Sequence, residues 1–216
     1  MKKRWKIAGG VAAALVMGSV VFAGVSAART EAKLRYQDEP APPVVASQDP
    51  ATIERGRYLV HGPAHCSQCH GDYSRDRPED NKDGVTLSGG LEFEMGPLAL
   101  TWAANLTPTG IGALSDGQVA RAIATGVQHD GTLSIMMRFM AADLSAEDLG
   151  AVLSYLRSLP PAPREVRRGG LTLVGKVAFS SFELAPDRRP LPAHVPEGTA
   201  PTVERGAYLA ESVSLC

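Results

Sequence analysis

The sequence predicts an all-α domain with long loops, set behind an N-terminal membrane helix. Three observations lead there. Residues 7–28 run for 22 positions without a charge behind the basic start MKKRWK. Three later segments carry helix-start signals followed by apolar stripes. No stretch keeps the two-residue alternation of a half-buried strand. At 216 residues and 44% hydrophobic content the chain can bury a core, which excludes wholesale disorder. Gly and Pro total 38, so turns are many and long uninterrupted helices few. The net charge of −1 hides a split: residues 1–28 hold Lys2, Lys3, Arg4 and Lys6 with no acid, leaving the rest acidic. Such a body has no concentrated basic patch for nucleic acid.

The first element, residues 1–28, is a signal peptide or membrane anchor. Its apolar run is long enough to cross a bilayer and longer than the usual core of a cleaved signal. Val25-Ser26-Ala27 and Ser26-Ala27-Ala28 would still suit a signal peptidase. Both readings place the remainder outside the cytoplasm, since the basic end stays inside. The expected location is the bacterial cytoplasmic membrane with the domain facing the periplasm, or the soluble periplasm after cleavage. Residues 29–48 begin charged, extending the helix, and become Pro-rich, which reads as a tether.

The domain proper is expected over 49–159. Asp49 and Pro50 supply an N-cap and a first-turn proline for a helix in which Ile53, Gly56, Leu59 and Val60 share a face. Residues 71–114 read as loop. Ser115 and Gln118 fit a capping box for a second helix. Ser145 starts a third, with Leu149, Val152, Leu153 and Leu156 as its stripe and Pro160-Pro161 as its stop. Loops this long in a compact domain imply that they wrap something.

Cys66-Ser67-Gln68-Cys69-His70 says what. C-x-x-C-H is the attachment signature of c-type haem. Two thiols three positions apart on one helical turn reach the two vinyl groups of a porphyrin, and the next side chain, His70, faces the iron. A thioredoxin-like pair would need a βαβ setting, and a zinc site would need a second ligand pair. Neither is present in the sequence. A structural disulfide would close a very small loop.

With that motif the chain resembles class I cytochrome c domains, and more closely the haem domains of bacterial membrane-anchored, multi-haem cytochromes. RGRYLV leading into CSQCH, WAANLTPTGIGALSDGQVARAI and LSAEDLGAVLSYLRSLP carry the resemblance, which covers 49–159. It implies one covalently bound haem c on Cys66 and Cys69, His70 as proximal axial ligand, and crossed first and last helices meeting at Gly56 and Tyr155. It also implies a distal Met ahead of the last helix. Met137, two residues before Phe139, matches best, although Arg138 stands where the family has Pro; Met136 and Met140 compete. His61, His65 and His129 are weaker candidates for a bis-histidine iron.

The pattern Glu54-Arg55-Gly56-Arg57-Tyr58-Leu59 returns as Glu204-Arg205-Gly206-Ala207-Tyr208-Leu209, with five of six positions identical at an offset of 150. Cys66 follows Arg55 by eleven residues, and Cys216 follows Arg205 by eleven. Repetition at a fixed offset is a signal of duplicated units. Residues 202–216 are therefore expected to open a truncated second haem domain with Cys216 as its first cysteine. A second haem would belong only to the full-length parent. Residues 160–201, Pro-rich with an apolar middle, are expected to link the two units.

The function expected is one-electron transfer outside the cytoplasmic membrane, in a respiratory or dehydrogenase chain. The partners would be a membrane dehydrogenase, an oxidase or another cytochrome. No nucleophile–base pair or dinucleotide fingerprint suggests another enzyme class. The alternative is a haem enzyme or sensor, a peroxidase or gas binder, with an open distal iron position.

Overall fold

A computed structural model describes residues 2–72, 85–140, 143–189, 191 and 201–214. The first helix, α1, runs Lys2–Lys33 and contains one stretch, Gly9–Lys33, long and apolar enough to cross a membrane. α2 (Pro50–His61) starts where the sequence signals it: the Asp49 side chain accepts from Thr52 N at 2.8 Å. α3 is the single turn Cys66–His70. The short α4 (Pro108–Ile111) and then α5 (Asp116–Thr125) follow, the latter with both halves of the Ser115–Gln118 capping box formed. α6 (Ile135–Met140) precedes α7 (Ala146–Ser158), which Ser145 caps through Asp148 N.

α2 and α7 cross in close contact. A Cβ on Gly56 would lie 1.9 Å from the Ala151 carbonyl oxygen and 2.8 Å from Tyr155 Cβ, so only glycine permits this approach. Around the crossing lies the main core, with Leu59, Val60, Leu87, Ala120, Leu149, Val152, Leu153 and Leu156 all buried. Arg157 fastens the end of α7 to the segment before α5. It pairs with Asp116 at 2.8 Å and donates to the carbonyls of Ile111 and Leu114.

The structure adds a small sheet that the sequence did not signal. β1 (Glu92–Glu94) pairs antiparallel with β2 (Ala99–Trp102), and β2 pairs antiparallel with β3 (Gly170–Leu171). Strands of three, four and two residues are too short to show alternation, and β3 comes from a distant part of the chain. The fold is therefore helix-rich with a minor sheet, not all-α.

The segments read as tether and linker are packed. Leu34 and Leu184 join Val127 and Leu133 in a second buried cluster, with Tyr36, Ile135, Leu171 and Phe179 against it. Ser47 N donates to Ser154 Oγ at 2.7 Å, and Ala46 N to Asp116 Oδ2 at 2.8 Å. Glu39, buried, pairs with Arg188. A short helix α8 (Leu173–Phe179) lies against the C-terminal part of α1. Finally α9 (Val203–Ala207) continues into a π-helix over Tyr208–Val213, whose Tyr208 and Val213 are buried in the main core. Proline content stiffens a chain, but it does not stop isolated apolar side chains from finding a surface.

Candidate functional site

The C-x-x-C-H turn is held from both sides of the chain. Before it, His65 adopts a left-handed conformation (φ 53°), turning the chain sharply out of α2. After it, the chain leaves the helix: Asp72 N donates to Thr86 O at 2.9 Å. Gly89 N donates to His70 O at 2.8 Å, and Gly90 N to Ala103 O at 2.8 Å. Gly89 has φ 69°, and a Cβ there would lie 2.4 Å from Ala104 O. The segments 85–90 and 103–107 thus run side by side under α3.

That arrangement sets the histidine. His70 Nδ1 lies 2.7 Å from Ala104 O. A carbonyl only accepts, so Nδ1 carries the proton and donates, and Nε2 keeps its lone pair. Burial also pushes the His70 pKa down and so favours the neutral ring, against a smaller opposing effect of the Ala104 carbonyl. A neutral imidazole with its far nitrogen tied to a backbone carbonyl is the form in which histidine ligates metals. The residues present therefore fit a c-type haem.

Ala104 is held in turn by Asn105. This buried side chain donates to Ala162 O and Arg164 O, and its Oδ1 accepts from Thr107 N at 2.9 Å. Arg164 also pairs with buried Asp72 at 2.8 Å, joining the far flank to the C-x-x-C-H turn. Ala104, Asn105 and Asp72 are not singled out by the sequence. One local signal is there: Asn105-Leu106-Thr107-Pro108 is an Asx-turn leading into a helix with Pro in its first turn.

Cys66 and Cys69 are both half-buried free thiols on α3. Cys66 packs against the main core, and burial pushes its pKa up to about 11. Burial raises that of Cys69 as well. Both sulfurs are protonated at neutral pH.

The structure places Met136 and Met137 on α6, half-buried, with Met137 N donating to Ser134 Oγ at 3.3 Å. Met140 ends that helix; its side chain and Cys216 lie outside the described residues. The three histidines considered as alternatives have other partners. His61 Nε2 lies 2.8 Å from Tyr155 Oη, His65 Nδ1 3.1 Å from Gln68, and His129 Nε2 3.1 Å from Arg168. Among the described residues no cluster of three His, Cys, Asp or Glu forms a metal site of another kind.

No family model matches the chain. Over 123 residues it is 32% identical to the cytochrome c subunit of alcohol dehydrogenase (quinone) from Gluconacetobacter polyoxogenes, covering 51% of this chain and 25% of that protein. The same subunit of Komagataeibacter europaeus gives the same figures. That of Gluconobacter oxydans (strain 621H) is 29% identical over 119 residues, covering 51% and 24%. The match thus spans about a quarter of the length of these curated relatives. The chain has cytochrome c-like relatives over half its length.

Proposed function

We propose that this chain is an electron-relay cytochrome of a membrane-bound dehydrogenase, with its haem domain on the outer face of the cytoplasmic membrane. The observation that carries the reading is the His70–Ala104 hydrogen bond on a C-x-x-C-H turn. In this reading Cys66 and Cys69 would hold haem c through thioether bonds, and His70 Nε2 and Met137 of α6 would be the residues that ligate its iron. Met136 and Met140 are the fallback ligands on the same segment.

The haem supplies a one-electron ferric/ferrous couple. The protein's residues do the rest. His70 presents an oriented, neutral nitrogen. Asn105 keeps Ala104 in place behind it. A thioether from α6, as a second protein ligand, would raise the potential and exclude small ligands.

The haem domain is read as 49–159, wrapped by 29–48 and 160–189. Residues 202–216 are read as the opening of a second such unit. α1 is read as an uncleaved anchor, supported by the burial of Ser26 and Thr30. The names of the relatives support a dehydrogenase as electron donor.

The test is an absorption spectrum of the full chain, exported and matured with haem. A low-spin spectrum unchanged by carbon monoxide is expected. Met137→Ala should abolish the ferric Met–iron absorption and admit carbon monoxide, while Met136→Ala should do neither. Rapid carbon monoxide binding by the unsubstituted chain would favour the open-iron alternative. Colourless protein with both sulfurs free would overturn the reading.

A further inference from the structure

α1 is exposed through Val20, Val21 and Phe22 and then buries one stripe. Ala23 and Ala27 are half-buried, and Ser26, Thr30 and Leu34 are buried, three or four residues apart. α8 lies on this stripe. Thr30 Oγ1 donates to Lys176 O at 2.6 Å, Lys176 pairs with Glu31, and Lys33 Nζ donates to Ser180 O at 2.6 Å. Positions rise together on the two helices, so they run in the same direction. The first residues of α8 therefore lie about one turn nearer the apolar part of α1 than Lys176 does.

Those first residues are Leu173 and Val174, 59% and 55% exposed. Beside them stands the tip of the β1–β2 hairpin. Thr172 N donates to Leu98 O at 2.9 Å, and a Cβ on Gly175 would lie 1.9 Å from the same oxygen. At that tip Met95 and Pro97 are exposed. Four apolar side chains from two elements thus stand exposed around the start of α8, the helix that packs on α1.

The length of α1 says what faces them. The uncharged run from Ile7 to Ala28 rises about 33 Å as a helix, against about 30 Å for a bilayer's hydrocarbon. Its outer boundary falls near Val25–Ala28, just below Thr30 and level with the start of α8.

We propose that Met95, Pro97, Leu173 and Val174 rest in the outer leaflet where α1 leaves the bilayer, so that the domain docks on lipid. The proposal rests on reading α1 as a membrane span. It also bounds the site: Ala104 follows Pro97 by seven positions, so the carbonyl behind His70 is at most about 25 Å from the docked tip.

The test uses the full haem-loaded chain in nanodiscs of phosphatidylethanolamine and phosphatidylglycerol. A benzophenone side chain is placed in turn at Met95, Leu173, Val16 and Val45, and adducts are read by mass spectrometry. Lipid adducts are expected at Met95, Leu173 and mid-helix Val16, and none at Val45, which is 76% exposed on the domain. Lipid adducts at Val16 without them at Leu173 would overturn the docking and leave the anchor standing. Protein adducts at Leu173 would mean that protein, the chain itself or a second copy of it, covers the patch, and overturn it too. Equal lipid labelling at Val45 would show nonspecific contact and would likewise overturn the docking. Absence of lipid adducts at Val16 would overturn the membrane span, and the docking with it.

Discussion

The two copies of Glu-Arg-Gly-x-Tyr-Leu occupy one molecule and do different work. In the first copy Gly56 is buried under α7, Arg55 holds Asp148, and Tyr58 is 44% exposed. In the second, a Cβ on Gly206 would meet nothing within 4 Å, and it is Tyr208 that is buried. Both copies converge on one carboxylate. Arg55 donates to Asp148 through Nε and Nη2 at 2.8 Å each, and Tyr208 Oη donates to Asp148 Oδ2 at 2.8 Å. The first copy crosses α7; the second braces the start of it, with Ser145 N donating to Tyr208 Oη at 3.1 Å. A shared pattern therefore specifies a helix and a set of side chains, and the neighbour decides which of them carry load.

The largest expected effect separates the two glycines. Gly56→Ala puts a methyl into the Ala151 carbonyl and must spread α2 from α7, costing about 4 kcal/mol of stability. Gly206→Ala meets no neighbour and gains about 0.5–1 kcal/mol from helix propensity. Urea unfolding of the full chain, followed by helical circular dichroism in detergent, measures both. Equal and small shifts would mean that the close crossing of α2 and α7 does not exist.

Asp148 tests the convergence. Its side chain is 1% exposed and Arg55's 23%, so Asp148→Ala strands a largely buried guanidinium and costs about 3 kcal/mol, at the low end for a broken buried pair. The cycle formed with Tyr208→Phe should show coupling, since the hydroxyl then loses its acceptor. Tyr58→Phe, the matching change in the first copy, should leave the unfolding midpoint where it was. Additive behaviour of Asp148→Ala and Tyr208→Phe would separate the second copy from the first.

What was legible in the sequence was local. Asp49-Pro50, Ser115 with Gln118, and Ser145 mark three helix starts because caps act within one turn. Gly56 against Tyr155 was legible because the resemblance names the crossing. The C-x-x-C-H turn was legible for the same local reason as the caps. The support behind it was not, because Ala104 contributes a backbone carbonyl from 34 residues away, a group no side-chain pattern reports. β3 was hidden because a two-residue strand has no period, and the packing of Leu34 and Leu184 because single apolar residues among prolines look like linker.

The smallest effect is the most diagnostic of the second copy. Burial pushes the Tyr208 phenol up to about 12, against an ordinary value of 10.0. The fold favours the protonated ring, which donates to Asp148. Its stabilising contribution is complete below pH 10 and is lost as pH rises through about 12, because the unfolded chain gives up that proton first. Tyr208→Phe removes one charge-assisted hydrogen bond and should cost about 1.5 kcal/mol at neutral pH. It also removes the titration. The gap between the parent chain and Tyr208→Phe should therefore narrow as pH climbs from 9 toward 12. Other tyrosines, Tyr36 and Tyr155 among them, are also raised by burial and titrate in both proteins, so they cancel in the difference. A gap that stays constant across that range would place the Tyr208 hydroxyl in water and detach the second copy from the core that the first one builds.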